Sequence, residues 1–185
     1  MIKIACIGTH GIGKSTFCYE LAHYYKSQRL NVYLIHENVR FSPFPINDKM
    51  IAETAIWAYS TQVAKELECI PRKVDAIICD RSAYDTFIYA QHYNLTSKCM
   101  KYFETCAISW LESYDHFFFV RPDNQYDLFD DGVRSVDKTY QLAIDQRFES
   151  LVKRFRKKDY TEISSNDIFN GDKKRWMHSL GSLQV

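Results

Sequence analysis

The chain has 185 residues, of which 25% are charged, and its formal net charge at pH 7 is +1. This length predicts a single domain covering residues 1–185, large enough to bury a substantial core. The near-neutral charge excludes a global field that would draw the chain to nucleic acid or to a membrane surface. Since no apolar run approaches the roughly 20 residues of a membrane-spanning helix, we expect no membrane partner.

The cysteines predict a reducing compartment. No two of them form a C-x-x-C pair, and closely spaced ligand pairs for structural zinc are missing as well. Cys6, Cys18 and Cys79 fall in predicted strands or helices, as is typical of small buried apolar residues. The N-terminus has no charged-then-apolar leader. We therefore expect reduced thiols and a cytoplasmic protein.

The predicted elements alternate between strand and helix along the chain. In order, the predicted strands cover residues 2–7, 32–36, 74–79, 116–120 and 159–163. Helices are predicted after the first strand, from a cap at Asn47 through Leu67, over 84–93 and 97–112, and from about residue 138 through Phe155. This alternation predicts an α/β fold, a doubly wound five-stranded parallel sheet with helices on both faces. Ligands of such sheets bind beyond the carboxyl ends of the strands.

The segment after the first predicted strand fits G-x-x-x-x-G-K-[ST], the phosphate-binding loop, and it opens a predicted helix. Backbone N–H groups converge there, and the helix dipole adds positive charge, so the segment predicts binding of a nucleoside triphosphate. Lys14 is expected to reach the outer phosphates, and the Ser15 hydroxyl to ligate Mg²⁺. The predicted nucleotide-binding residues are Gly8, Thr9, His10, Gly11, Ile12, Gly13, Lys14, Ser15 and Thr16.

Asp80-Arg81-Ser82 follows the third predicted strand. Asp80 is predicted to hold Mg²⁺, directly or through water, beside Ser15; the alternative is a helix cap. Arg81 is predicted to neutralise a transferring phosphoryl group or to grip the acceptor. Asp85, one helical turn further on, is predicted to contact the acceptor, with a structural role as the alternative.

Glu37-Asn38-Val39-Arg40 follows the second predicted strand. Glu37 is predicted to act as a general base for an attacking hydroxyl or to orient the acceptor. Arg40 either binds the acceptor or pairs with Glu37, and a solvated surface pair is the alternative. On the next helix, Trp57 and Gln62 predict a surface that reads a nucleobase by stacking and hydrogen bonding; core packing is the alternative.

Residues 121–137 form a polar segment after the fourth predicted strand. Long irregular segments in compact domains are usually functional or disordered, and here we expect a lid that closes over the triphosphate and excludes water. Arg134 is predicted to be a catalytic arginine delivered by this closure. The alternative is a solvated loop whose arginines pair with neighbouring aspartates.

With these residues, the chain resembles the small P-loop kinases of the nucleoside and nucleotide kinase group. In particular it is similar to the AAA_28-type ATPase/kinase proteins related to the ribosylnicotinamide kinase domain. The resemblance implies an ATP·Mg donor, a carboxylate base that matches Glu37, an acidic-Arg-Ser triplet that matches residues 80–82, and a mobile lid that carries Arg134. One departure is Asn38, because those kinases usually have proline there. The segments that carry the resemblance are 8–16, 37–45, 80–85 and 131–134.

The sequence therefore predicts a P-loop kinase that transfers a phosphoryl group from ATP, with Mg²⁺, to a small nucleoside- or nucleotide-like acceptor. The alternative is a switch or ATPase that binds ATP or GTP and acts through a protein partner. GTP preference is not supported, because residues 121–124 do not resemble the N-K-x-D reader of guanine. The lack of a basic stripe disfavours a nucleic-acid acceptor. The oligomeric state is left open, with a homodimer among the alternatives.

Overall fold

The structure is a computed structural model that describes residues 1–123, 135–154 and 160–171, together with Trp176 and Leu180. The predicted catalytic arginine, Arg134, lies outside the described residues, as does most of the predicted lid.

Five parallel strands form one central sheet. They are β1 (Ile2–Ile7), β2 (Val32–Ile35), β3 (Ala76–Asp80), β4 (His116–Arg121) and β5 (Tyr160–Ser164). The strand order is β2-β3-β1-β4-β5, which confirms the predicted α/β class. Because β1 lies between β3 and β4, Cys6 pairs with Asp80, and the carboxyl ends of β1 and β3 adjoin.

The described residues form six α-helices, of which all but the last fall in stretches predicted as helical. They are α1 (Lys14–Ser27), α2 (Ala52–Cys69), α3 (Asp85–His92), α4 (Lys98–Trp110), α5 (Lys138–Arg154) and α6 (Ser165–Phe169). The prediction that α2 begins at Asn47 is wrong: the backbone of Met50 and Ile51 is extended, with ψ values of 140° and 169°, so α2 begins only at Ala52. Within the described parts of the chain, no helix has the length and apolar character that crossing a membrane requires.

The side chains of the strands divide the apolar interior between the two faces of the sheet. Ala5 and Phe119 face a cluster that packs against α2, α3, α4 and α5, whereas Cys6 and Phe118 face a second cluster against α1. Burial on both faces explains why the sequence of β4 is almost entirely apolar. The six cysteines are free thiols; Cys6, Cys18 and Cys79 are buried, as their predicted positions indicate, and Cys69 is buried as well.

Candidate active site

Three glycines shape the phosphate-binding loop between β1 and α1. Gly8, Gly11 and Gly13 have φ values of 136°, 71° and 84°, a region that favours glycine. A Cβ on Gly8 would collide with the carbonyl oxygen of Val120, and one on Gly13 would lie 2.8 Å from a ring atom of Phe169. Gly13 caps α1 without a side-chain hydrogen bond. Because glycine has no side chain that could accept from them, the backbone N–H groups in the first turn of α1 can bind an anion.

Two side-chain contacts lie at the start of α1, one made by Lys14 and one that joins Ser15 to Asp80. Lys14 is 6% exposed, and its ammonium group donates to the carbonyl oxygen of Thr9 inside the loop. Ser15 Oγ donates to Asp80 Oδ2 at 2.5 Å, a contact that follows from the adjoining ends of β1 and β3. Hydroxyl and carboxylate oxygens are ligands that Mg²⁺ accepts, so this pair fits the ion. Within the described ranges, no group of three or more His, Cys, Asp or Glu side chains could hold a metal.

A cleft adjoins the phosphate-binding loop at the carboxyl ends of β2 and β3. Its empty volume is about 820 Å³, counted with the space open to solvent. Glu37, Arg40, Arg81 and Asp85 provide charged groups in its lining, and the phosphate-loop residue His10 lines it as well. The cleft has the mixed apolar and charged lining that is typical of a small-molecule site.

Glu37 is the centre of the charged lining. It is 7% exposed, whereas the side chain of Arg40 is 32% exposed, so the Glu37–Arg40 pair is solvated on the Arg40 side only. Its Oε1 accepts from Arg81 Nε at 2.5 Å, and its Oε2 accepts from Arg40 Nε at 3.2 Å. The structure thus brings together three of the predicted acceptor residues and also pairs Arg40 with Glu37, as the sequence allowed.

The backbone of Arg81 is strained. Its φ is 96°, in a region that costs a residue other than glycine about 1–3 kcal/mol unless the surroundings hold it. The guanidinium lies 3.6 Å from Asp85 Oδ2 and 5.3 Å from the ring centroid of Tyr89. Burial alone would lower the pKa of Arg81, but Glu37, Tyr89 and Asp85 raise it well above its usual range. Strain of this kind is typical of functional sites.

Asp85 has a structural and an electrostatic role. Its Oδ1 accepts hydrogen bonds from the backbone N–H of Ser82 at 3.0 Å and from the Ser82 hydroxyl at 2.6 Å, which ties the start of α3 to the end of β3. Burial raises the pKa of Asp85 to about 6, although Arg81 and the Ser82 hydrogen bonds oppose this shift. The N-cap of α3 is Tyr84, and no side chain makes a cap hydrogen bond there. Asp80 accepts instead from Ser15, so the helix-cap alternative for Asp80 is not supported.

The raised pKa of Asp85 predicts that the protein becomes less stable as pH rises. Its pKa is about 6 in the folded protein against an ordinary value of 3.8, so the folded state binds this proton more tightly. The resulting stabilisation is complete below the ordinary value and is lost as pH rises through 6, by about 3 kcal/mol in total. We expect the free energy of unfolding of Asp85→Asn, relative to wild type, to increase from about pH 4 to about pH 8. Denaturant unfolding across this range measures the difference, and parallel curves would contradict the assignment.

The two residues predicted to read a nucleobase differ in position. Gln62 lines the cleft, but its Oε1 accepts from Asn38 Nδ2 at 2.8 Å, and its Nε2 donates to Glu66 Oε1 at 2.9 Å. Trp57 does not line the cleft, because α2 presents Ala58 and Gln62 at four-residue spacing and position 57 is rotated about 100° away. The prediction that Trp57 contacts substrate is therefore not supported by its position.

Three tyrosines that line the cleft are not among the residues predicted from the sequence; they are Tyr89, Tyr93 and Tyr140. Tyr89 could have been found, since it lies four residues after Asp85 and therefore on the same face of α3. Tyr140 is on α5, and its ring centroid lies 5.1 Å from that of His10. No sequence signal links α5 to the phosphate-binding loop, because this contact depends on the tertiary fold.

Comparisons with known proteins give the fold and the family of the chain. No curated protein matches the sequence. Among solved structures, the fold is similar to that of the NadR protein, determined as a crystal structure in complex with NR, with a TM-score of 0.71 at 18% sequence identity. The alignment covers 98% of this chain but 50% of the NadR chain, so the chain spans half the length of that protein. Residues 3–170 match the AAA_28 family, described as an AAA domain, and the chain therefore belongs to this family of nucleotide-binding P-loop domains.

Proposed function

We propose that the protein is a kinase that transfers a phosphoryl group from ATP to a hydroxyl of a small nucleoside-like acceptor, with Mg²⁺. The observation that carries the proposal is the junction between the phosphate-binding loop and a cleft lined by Glu37, Arg81 and Asp85. His10 belongs to both, so a nucleotide in the loop and an acceptor in the cleft would be neighbours. The family and the fold shared with NadR support the same function.

The residues of the loop would act on the nucleotide by position and charge. Lys14 and the loop amides would stabilise negative charge on the phosphates. Ser15 and Asp80 would hold Mg²⁺, which when bound would neutralise part of the phosphate charge. Arg81 would offset charge on the transferring group from the side of the acceptor. That Arg134 supplies a second positive charge to the transferring group remains a prediction.

Glu37 would accept a hydrogen bond from the acceptor hydroxyl. Both of its carboxylate oxygens bond to arginines, and the bond to Arg40 Nε is the longer, at 3.2 Å against 2.5 Å for Arg81. We expect the acceptor hydroxyl to replace Arg40 on Oε2, while Arg81 stays in place. The hydroxyl would then be oriented toward the phosphate-binding loop, and Glu37 would accept its proton during transfer.

The charge balance of the cleft favours a hydroxyl over a phosphate as the attacked group. Arg40 and Arg81 already have the carboxylate partners Glu37 and Asp85. A phosphate acceptor would add a charge of about −1.5 to −2 beside these carboxylates. A hydroxyl adds no charge, and a carboxylate oxygen of Glu37 can accept its proton. The described lining therefore fits a nucleoside better than a nucleoside monophosphate.

Transfer assays with matched acceptor pairs test this proposal. The purified protein is incubated with Mg·ATP labelled in the γ-phosphate and with each nucleoside beside its 5′-monophosphate, ribosylnicotinamide and its monophosphate included. We expect label to enter at least one nucleoside and none of the monophosphates. Transfer to monophosphates alone would contradict the hydroxyl assignment but leave a kinase.

A nucleotide-dependent switch or ATPase that acts through a protein partner is the second candidate, since the family is described as an AAA domain. ATP hydrolysis without transfer to any acceptor, together with nucleotide-dependent association with another protein, would favour this candidate over the kinase.

A further inference from the structure

One buried carboxylate lies behind the cleft, on the far side of Gln62. Glu66 on α2 is 2% exposed. Its Oε2 accepts from Lys3 Nζ and from Trp110 Nε1, each at 2.8 Å. Its Oε1 accepts from the Tyr114 hydroxyl at 2.6 Å and from Gln62 Nε2 at 2.9 Å. The Cys79 thiol also donates to Oε1, at 3.8 Å. Each oxygen therefore has at least two donors, and the orientation of this charge is determined by its surroundings.

A first chain of hydrogen bonds runs from Glu66 to the segment that carries Glu37. Because Gln62 donates its amide nitrogen to Glu66, its amide oxygen points to Asn38 Nδ2, at 2.8 Å. Asn38 is 4% exposed, follows Glu37 directly, and accepts a second hydrogen bond from the ammonium group of Lys65. The position of Glu37 thus depends on the orientation of the Gln62 amide.

A second chain runs from Glu66 to the segment that carries Arg81. Gln62 Nε2 also lies 3.4 Å from the carbonyl oxygen of Arg81. The Tyr114 hydroxyl, which donates to Glu66, accepts from the backbone N–H of Ala83 at 2.9 Å. Strained backbone persists only where neighbouring contacts hold it, and these bonds flank Arg81, whose φ is 96°.

We propose that Glu66 is a positioning residue for the acceptor site: through Gln62 and Tyr114 it sets the places of Glu37 and Arg81. This inference rests on the proposed function. In this arrangement, the Gln62 amide is part of the support of the site and does not read the acceptor.

Glu66→Gln tests the inference, because glutamine keeps the shape but carries a donor in place of one oxygen. The Lys3 ammonium retains the remaining oxygen on its own side, so the new amide nitrogen faces Gln62 and Tyr114. The Gln62 amide must then turn, which removes the acceptor for Asn38. We expect kcat/KM for the acceptor to fall by about 10- to 100-fold, as when a reacting group is slightly misplaced. The KM for ATP is expected to stay within about twofold, since the phosphate-binding loop is not touched.

Trp110→Phe is the matched control. It removes one donor from Oε2, the oxygen of Glu66 that does not face Gln62. We expect this variant to lose stability in denaturant unfolding but to keep the wild-type kcat/KM for the acceptor. An equal loss of kcat/KM in Trp110→Phe would show that Glu66 matters only for stability and would overturn the inference.

A double-mutant cycle then tests the route through Gln62. If Glu66 acts in part through this amide, Glu66→Gln should lower kcat/KM much less in the Gln62→Leu background than in wild type, and the remaining loss reports the route through Tyr114. Independent effects would multiply, and a full loss of about 10- to 100-fold in that background would exclude the route through Gln62. Crystal structures of wild type and Glu66→Gln give a readout that does not depend on transfer: we expect Asn38 and Gln62 to lose their hydrogen bond. Unchanged Asn38 and Gln62 side chains would overturn the inference, even if the wild type transferred to no acceptor and the proposed function failed.

Discussion

Lys14→Ala is expected to lower phosphoryl transfer by about 10³- to 10⁵-fold, the range found when a cation is removed from a transferring phosphoryl group. The ammonium group of Lys14 is buried at the mouth of the loop, where it bonds to the carbonyl oxygen of Thr9. In this position the ammonium group can stabilise the negative charge of the outer phosphates during transfer. A solvated side chain cannot take over this role. Single-turnover rates with labelled ATP measure the loss.

Lys26→Ala is the control for this variant, because Lys26 lies in the last turn of the same helix and is exposed. It is expected to transfer at the wild-type rate. A Lys14→Ala protein that is correctly folded and retains a tenth or more of wild-type transfer would remove the lysine from the proposed mechanism.

Glu37→Gln is expected to slow transfer by about 10²- to 10⁴-fold, the range for loss of a general base. The amide keeps the size of the side chain, but it cannot take a proton and it leaves Arg81 without its closest anion. ATP binding should be unchanged, because Lys14, Ser15 and Asp80 form a separate set of contacts. Rates at saturating acceptor and calorimetric titration with Mg·ATP measure the two effects separately.

Glu68→Gln gives the matched comparison. Glu68 is also paired with an arginine, Arg72, at 3.4 Å, but its side chain is 58% exposed, and such pairs contribute little. We expect its transfer rate to equal that of wild type. Wild-type turnover in Glu37→Gln would exclude Glu37 from proton transfer and leave orientation of the acceptor as its role.

Local patterns predicted the parts of the site that depend on local structure. The phosphate-binding loop has a fixed spacing, and the residues after β3 adjoin it in any sheet where β3 lies next to β1, so Asp80 beside Ser15 followed from the fold class. The buried strands could be predicted because their sequences are apolar and short, and their ends differ from the prediction by one or two residues.

The rest of the site depends on tertiary contacts that leave no local pattern. The left-handed backbone of Arg81 is unfavourable for its residue type, so propensity points away from it. Gln62 and Glu66 look like ordinary polar positions of an amphipathic helix, and only the packing of α2 against Asn38 and Trp110 gives them partners. Trp57 was predicted to face the acceptor, but it does not line the cleft. The sequence cannot show which face of α2 lines the cleft, because this helix contacts both the cleft and the core.

The double pairing of Glu37 has a consequence for how the proposed kinase would use ATP. A carboxylate whose two oxygens are already bonded to guanidinium groups is a weak proton acceptor for a passing water molecule. Only a molecule that displaces one of these arginines would make the carboxylate available. Hydrolysis of ATP by water would thereby be slowed while the cleft is empty. ATP would be consumed mainly when the acceptor alcohol is bound.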